Sequence, residues 1–233
     1  MKFTTLLHHI TPSLLVESFY DLKRTAAAGV DAVTWRDYES LLYGRVHELH
    51  REIHTGAYRA QASRRVYIEK ADGKLRPLGI AALEDKIVQQ AIVKVLSMIY
   101  EEDFLGFSYG FRAGRSQHHA LDALTAGIKS HKVGWILDAD IQAFFDTIDH
   151  TWMMRFLAHR IADRRILRLI CKWLKAGVIE DGCHVAAEKG TPQGAVISPL
   201  LANICLHYAL DLWAKRWRRR HEGLKSNLVY GML

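Results

Sequence analysis

Val133-Gly134-Trp135-Ile136-Leu137-Asp138-Ala139-Asp140-Ile141 runs apolar until it meets two aspartates two positions apart. Read as a β-strand, the stretch places Asp138 and Asp140 on one face, and Gln142 joins them if the strand continues. Two carboxylates sharing a face repel each other unless a proton or a cation lies between them. A hard divalent ion such as Mg²⁺, which takes carboxylate oxygens, satisfies such a pair. The plainer reading makes one Asp a solvated edge residue and the other the cap of the next turn. Phe144 and Phe145 follow at once. Two adjacent aromatics beside such carboxylates can wall a pocket for a sugar or base, or simply fill a core, and periodicity does not choose between them. Asp149, ahead of His150-Thr151-Trp152, reads as a helix N-cap.

Working outward, a helix is expected from about Thr151 to Lys175, with Gly177 as its stop. Another begins at Ser198-Pro199-Leu200-Leu201, Ser as cap and Pro at the first helical position, and runs to about Arg219. Upstream, apolar residues recur at helical spacing over 36–56 and over Asp85–Tyr100, the second stripe wide enough to be largely buried. Between them, Arg64–Lys70 and Lys74–Ile80 are β-prone runs around Ala71-Asp72-Gly73, a tight hairpin, with Pro77 confining the second run to an edge. Strands and helices mix without regular βαβ alternation, which points to an α+β fold. Gly190-Thr191-Pro192-Gln193-Gly194 is by itself a turn, one that lets backbone approach a ligand closely while Gln offers an amide.

The 233 residues suffice for one large domain or two small ones, with apolar and charged fractions that exclude disorder, collagen and coiled coil. A net charge of +7 favours a polyanionic partner. Cys171, Cys183 and Cys205 are too few and scattered for a disulfide framework or metal knuckle, so the chain is expected in a reducing, cytoplasmic setting. No apolar run is long enough to span a bilayer, and no membrane partner is expected. Arg160, Arg164, Arg168 and Lys172 fall at four-residue intervals along the expected 151–175 helix. Lys215, Arg216, Arg218, Arg219 and Arg220 interleave with Trp213 and Trp217. Both stretches read as phosphate-binding ridges or as ordinary solvated faces. Arg112 and Arg115 sit among aromatics and glycines in Ser108–Ser116, a loop suited to phosphate or to stacking. Adjacent His118 and His119 point apart and make no zinc site.

The succession of blocks resembles a bacterial reverse transcriptase of the group II intron-encoded, or maturase, type. The blocks are Arg76-Pro77-Leu78-Gly79-Ile80, Tyr109-Gly110-Phe111-Arg112, Asp138-Ala139-Asp140-Ile141 with Phe144-Phe145-Asp146, and Gly190–Gly194 with Ser198-Pro199-Leu200. Upstream Gly29-Val30-Asp31 resembles the leader block of the same group. The resemblance implies right-hand polymerase fingers and a partial palm, with the thumb absent: a helical leader over 1–60, fingers over 61–130 and an incomplete palm over 131–233. It makes Asp140, with Asp138, the metal-binding carboxylates for Mg²⁺ or Mn²⁺, and Asp140 catalytic. It makes Phe145 the aromatic gate against ribonucleotide sugars, and Gln193 and Gly194 the lining of the incoming nucleotide site. Arg76, Arg112 and Lys74 then lie near the triphosphate and template. The implied partners are an RNA template, a DNA or RNA primer, dNTP and intron RNA.

The family's next block, Tyr-Ala-Asp-Asp, does not follow: the residues are Asn227-Leu228-Val229-Tyr230-Gly231-Met232-Leu233. Glu69 and Ala81 also stand where the family usually has proline. A two-metal reaction needs several carboxylates around its ions. The expectation is therefore a nucleotidyltransferase domain that is inactive as this chain alone. The alternatives are a non-catalytic, RNA-binding maturase-like module and a gene fragment without function.

Overall fold

A computed structural model describes residues 1–69, 73, 75–130, 133–191 and 194–220. It falls into two units, Met1–Ser97 with Ala143–Ser198, and Met98–Gln142 with Pro199 onward. Lys74, Gln193 and the Asn227–Tyr230 stretch lie outside the described residues.

In the first unit, helix α1 (Pro12–Asp21) starts where Thr11 Oγ1 accepts the Leu14 N–H, with proline in its first turn. Helix α2 (Trp35–Glu39) carries a reciprocal Thr34–Asp37 capping box. Trp35 stacks on Phe19 of α1 at 4.5 Å and donates to its carbonyl. The sequence predicts one helix over 36–56; the fold makes two, because the Ser40 hydroxyl donates to the Asp37 carbonyl and ends α2. Helix α3 (Leu42–Thr55) buries Leu42, Val46, Leu49 and Ile53 and stops at Gly56 in the left-handed region. Strand β1 (Ser63–Glu69) pairs antiparallel with β2 (Leu75–Ile80), register Glu69↔Leu75 through Arg64↔Ile80, which is the expected hairpin. Pro77 sits on β2, an edge strand of the sheet.

Helix α4 (Leu83–Tyr100) buries Ile87, Val88, Ala91, Ile92 and Leu96 completely. At its first turn Asp85 accepts from the Tyr58 hydroxyl and from the Gln61 N–H, while Trp173 Nε1 donates to that hydroxyl at 2.8 Å. Burial pushes the Asp85 carboxyl up to about 6 against those donors.

The expected long helix over 151–175 is also two, α7 (His150–Arg160) and α8 (Arg164–Lys175), numbered after α5 and α6 below. Asp163 breaks it. Its buried carboxylate accepts the N–H groups of Leu6, Leu7 and Arg165 at 2.8, 3.1 and 2.9 Å, and so caps α8 while gripping the amino-terminal segment. Burial raises the proton affinity of that carboxyl, but the three N–H donors outweigh it and hold it below its usual range. Beside it, Phe3 bridges to Ile161. Strands β3 (Val178–Glu180) and β4 (Cys183–Val185) complete a sheet of order β2-β1-β3-β4, with β3 parallel to β1.

The second unit holds helix α5 (Gln117–Ser130), and the first unit the short α6 (Phe144–Thr147). Helix α9 (Ser198–Leu206) runs through a π-helical turn (His207–Asp211) into α10 (Leu212–Arg220). Inside the π turn Asp211 is fully buried, its oxygens unpartnered among the described residues and His207 Nδ1 4.0 Å away. Burial pushes the Asp211 carboxyl up to about 6 and the His207 imidazole down.

The expected strand over 133–141 does not form. Trp135 is 95% and Leu137 87% exposed, and no described strand pairs with the segment. Apolar residues stabilise a strand through cross-strand and face packing, and neither contact exists for these among the described residues. Cys171, Cys183 and Cys205 are free thiols. No helix among the described residues is long and apolar enough to cross a membrane.

Candidate functional site

Phe144 and Phe145 open α6, entered through Ala143 at φ +50°. Their rings meet edge to face, centroids 5.8 Å apart. Asp149 accepts the Trp152 N–H at 2.9 Å and caps α7, as its position in the sequence predicts. The Gly190–Gly194 loop is laid against this turn. Thr191 N–H donates to the Phe145 carbonyl and Gly190 N–H to the Ile148 carbonyl, both at 2.7 Å. His150 Nε2 donates to the Gly190 carbonyl at 2.7 Å.

Glycine is required here for space. A Cβ on Gly190 would stand 2.8 Å from the carbonyl oxygens of both Phe145 and Asp146, and its φ is +80°. At the other end of the loop Gly194 (φ +103°) passes the Gly79 carbonyl of β2, which a Cβ would approach to 3.1 Å. Three blocks far apart in sequence thus meet through backbone: Arg76–Ile80, Phe144–Asp146 and Gly190–Gly194. Phe145 is half-buried beside this junction, and Arg76 lies exposed on β2. The buried Thr191 Oγ1 has no hydrogen-bond partner among the described residues.

The leader block is explained the same way. A Cβ on Gly29 would fall 2.6 Å from the Ala82 backbone, and Lys86 Nζ and the Arg64 guanidinium hold the carbonyls of Ala27 and Ala28.

The carboxylate pair is placed differently. Asp138 and Asp140 are both exposed, and without a strand nothing imposes a shared face on them. Among the described residues no group of three or more His, Cys, Asp or Glu side chains is arranged to hold a metal ion. Two carboxylates fall short of a two-ion centre, so the described residues do not by themselves fit one.

Arg112, expected near the triphosphate, is buried and spent inside its own loop. It pairs with Glu101 at 2.8 Å and donates to the carbonyls of Leu105 and Ser108 at 2.8 and 2.7 Å. The four residues of the basic stripe are divided between two helices. Arg160 belongs to α7, where its guanidinium lies over the Phe3 ring, whereas Arg164 opens α8. Lys172 Nζ reaches back to the carbonyls of Gly56 and Tyr58. Arg164 and Arg168 alone of the four are exposed on one helix face. On α10, Arg216, Arg218, Arg219 and Arg220 are exposed and Lys215 is half-buried.

Sequence reasoning missed two organising amides. Gln89 Oε1 accepts the Ile197 N–H, and Asn203 Nδ2 donates to the Gly110 carbonyl. Each is a polar residue within an apolar helical stripe, and that interruption was the available signal.

The model of the family "Reverse transcriptase (RNA-dependent DNA polymerase)" matches residues 68–230. Protein YkfC of Escherichia coli is 42% identical over 182 residues, which cover 77% of this chain and 48% of YkfC. The group II intron-encoded protein LtrA of Lactococcus lactis is 34% identical over 207 residues, 88% of this chain and 34% of LtrA. The chain therefore spans half or less of the length of these curated relatives. A solved structure titled "Partial Cas6-RT-Cas1--Cas2 complex" superimposes with a TM-score of 0.56 at 22% identity, over 91% of this chain and 35% of that one, a likeness of fold. The chain belongs to the reverse transcriptase family, and its relatives place it with the group II intron type.

Proposed function

We propose that the chain supplies the leader, fingers and palm residues of a group II intron-type reverse transcriptase, which adds dNTP to a primer 3′-hydroxyl on an RNA template. Residues 1–60 serve as leader, 61–130 as fingers and 131 onward as palm. The observation that carries this reading is the junction of the Gly190–Gly194 loop with the Phe145 turn and with Gly79 of the hairpin, three blocks of the family brought against one another. In this reading Phe145 meets the nucleotide sugar, Gln193 and Gly194 line the nucleotide site, and Arg76 with Lys74 faces the triphosphate. Asp140 and Asp138 contribute to a divalent-ion site, with Mg²⁺ as the ion and Mn²⁺ as its substitute. That site requires carboxylates beyond these two. Arg112 holds its loop instead of contacting phosphate. The exposed arginines of α10, with Arg164 and Arg168, contact the backbone of template and primer or of intron RNA, in the cytoplasm.

Residues 1–233 alone are expected to bind an RNA template annealed to a DNA primer with strongly salt-dependent affinity, and not to extend it. Neutralising Arg216, Arg218, Arg219 and Arg220 together weakens that binding and flattens its salt dependence. Template-directed synthesis that disappears in Asp140→Ala would overturn the expected inactivity. Absence of binding at low salt would overturn the nucleic-acid reading itself.

A further inference from the structure

The loop between α4 and α5 holds Phe111 in an unusual state. Its φ is +53°, in the left-handed region that a non-glycine residue pays to enter, and the residue is 72% exposed. Both neighbours are locked. Asn203 Nδ2 holds the Gly110 carbonyl at 2.7 Å. The Arg112 guanidinium is fixed by Glu101 and by two loop carbonyls, and lies 5.2 Å over the Phe104 ring. The loop thus forces Phe111 into a strained backbone and presents an apolar ring to water. Strained positions of this kind persist where the surroundings over-determine them, and they gather at ligand clamps.

The same loop already attracts cations. Arg218, from the basic end of α10, sits 5.7 Å over the ring of Phe107. A bare aromatic face in a loop tied to exposed arginines is the combination that single-stranded nucleic acid uses, bases stacking while cations follow the phosphates.

We propose that Phe111 is a stacking platform for an unpaired base of single-stranded RNA. This deepens the nucleic-acid reading above and rests on it. The partner is recognised by its flat π-face, with no hydrogen-bond readout and so no base preference.

The test is fluorescence anisotropy with the full chain at low salt, using labelled 15-nucleotide oligo(A) and an abasic oligomer of the same length. Wild type, Phe111→Gly, Phe111→Leu and Phe111→Trp are compared, with thermal melts of each. Phe111→Gly and Phe111→Leu should bind oligo(A) about tenfold more weakly, Phe111→Trp should match wild type, and abasic binding should not move. Phe111→Gly should melt no lower than wild type, because glycine enters the left-handed region without strain. Equal oligo(A) affinity across the series overturns the platform and leaves the nucleic-acid reading standing. A parallel loss of oligo(A) and abasic binding, or a lower melting point for Phe111→Gly, shows a structural role and also overturns it. Wild-type failure to bind either oligomer removes the nucleic-acid reading, and the platform falls with it.

Discussion

Ala143–Asp149 is held from several sides, whereas the ten residues before it lie nearly bare. In the first stretch the Phe145 and Ile148 carbonyls accept loop N–H groups, Gly190 lies against the backbone, and Asp149 caps a helix. In the second, Trp135, Leu137, Asp138 and Asp140 are all exposed. Both stretches belong to one sequence block. What separates them is the origin of their partners. The turn is fixed by backbone groups about forty residues on and by its own cap, all among the described residues. An apolar strand needs a neighbouring strand, which the described residues do not supply.

The anchored stretch carries the largest expected effect. Gly190→Ala drives a Cβ into two backbone carbonyls at positive φ and should cost about 4 kcal/mol, read as a lower urea midpoint at unchanged slope. A loss under about 1 kcal/mol would mean that the loop is not pressed against the Phe145 turn. Asp163→Ala comes next. It strips an N-cap and leaves the Leu6 and Leu7 N–H groups without their acceptor, a loss of about 2.5 kcal/mol in the same measurement. A near-zero effect there would show that anchoring by backbone groups is peculiar to the turn. Trp135→Ser should change stability by no more than about 0.5 kcal/mol, since the ring has almost no packing to lose. A clear destabilisation would erase the contrast, because it would show Trp135 packed.

These contrasts also mark what the sequence reveals. The hairpin was legible because an Asp-Gly pair between two β-prone runs is a signal carried by neighbouring residues alone. The buried stripe of α4 and the Asp149 cap were legible for similarly local reasons. The breaks at Ser40 and Asp163 were not, since each hinges on one polar side chain choosing a backbone partner over continued helix. For Asp163 two of those partners lie at the far end of the chain. The glycines of the Gly190–Gly194 loop could be recognised as a turn, but only the fold reveals that the crowding comes from Phe145, Asp146 and Gly79. The contacts of Arg112 were hidden for a related reason: a loop arginine next to aromatics looks the same in sequence whether it faces a phosphate or pairs with Glu101 and two loop carbonyls.

Asp163 has a consequence for the order in which the molecule is made. Its carboxylate is the acceptor for Leu6 and Leu7, which precede it by 157 and 156 residues, and Trp173 closes on Tyr58 across 115. A growing polypeptide therefore holds Leu6 and Leu7 long before their anchor exists, a delay of about 8–30 s at ordinary translation rates. Over that interval the N–H groups of Leu6 and Leu7 lack the acceptor that holds them in the folded chain. Such distant closures raise the contact order and slow the final docking step.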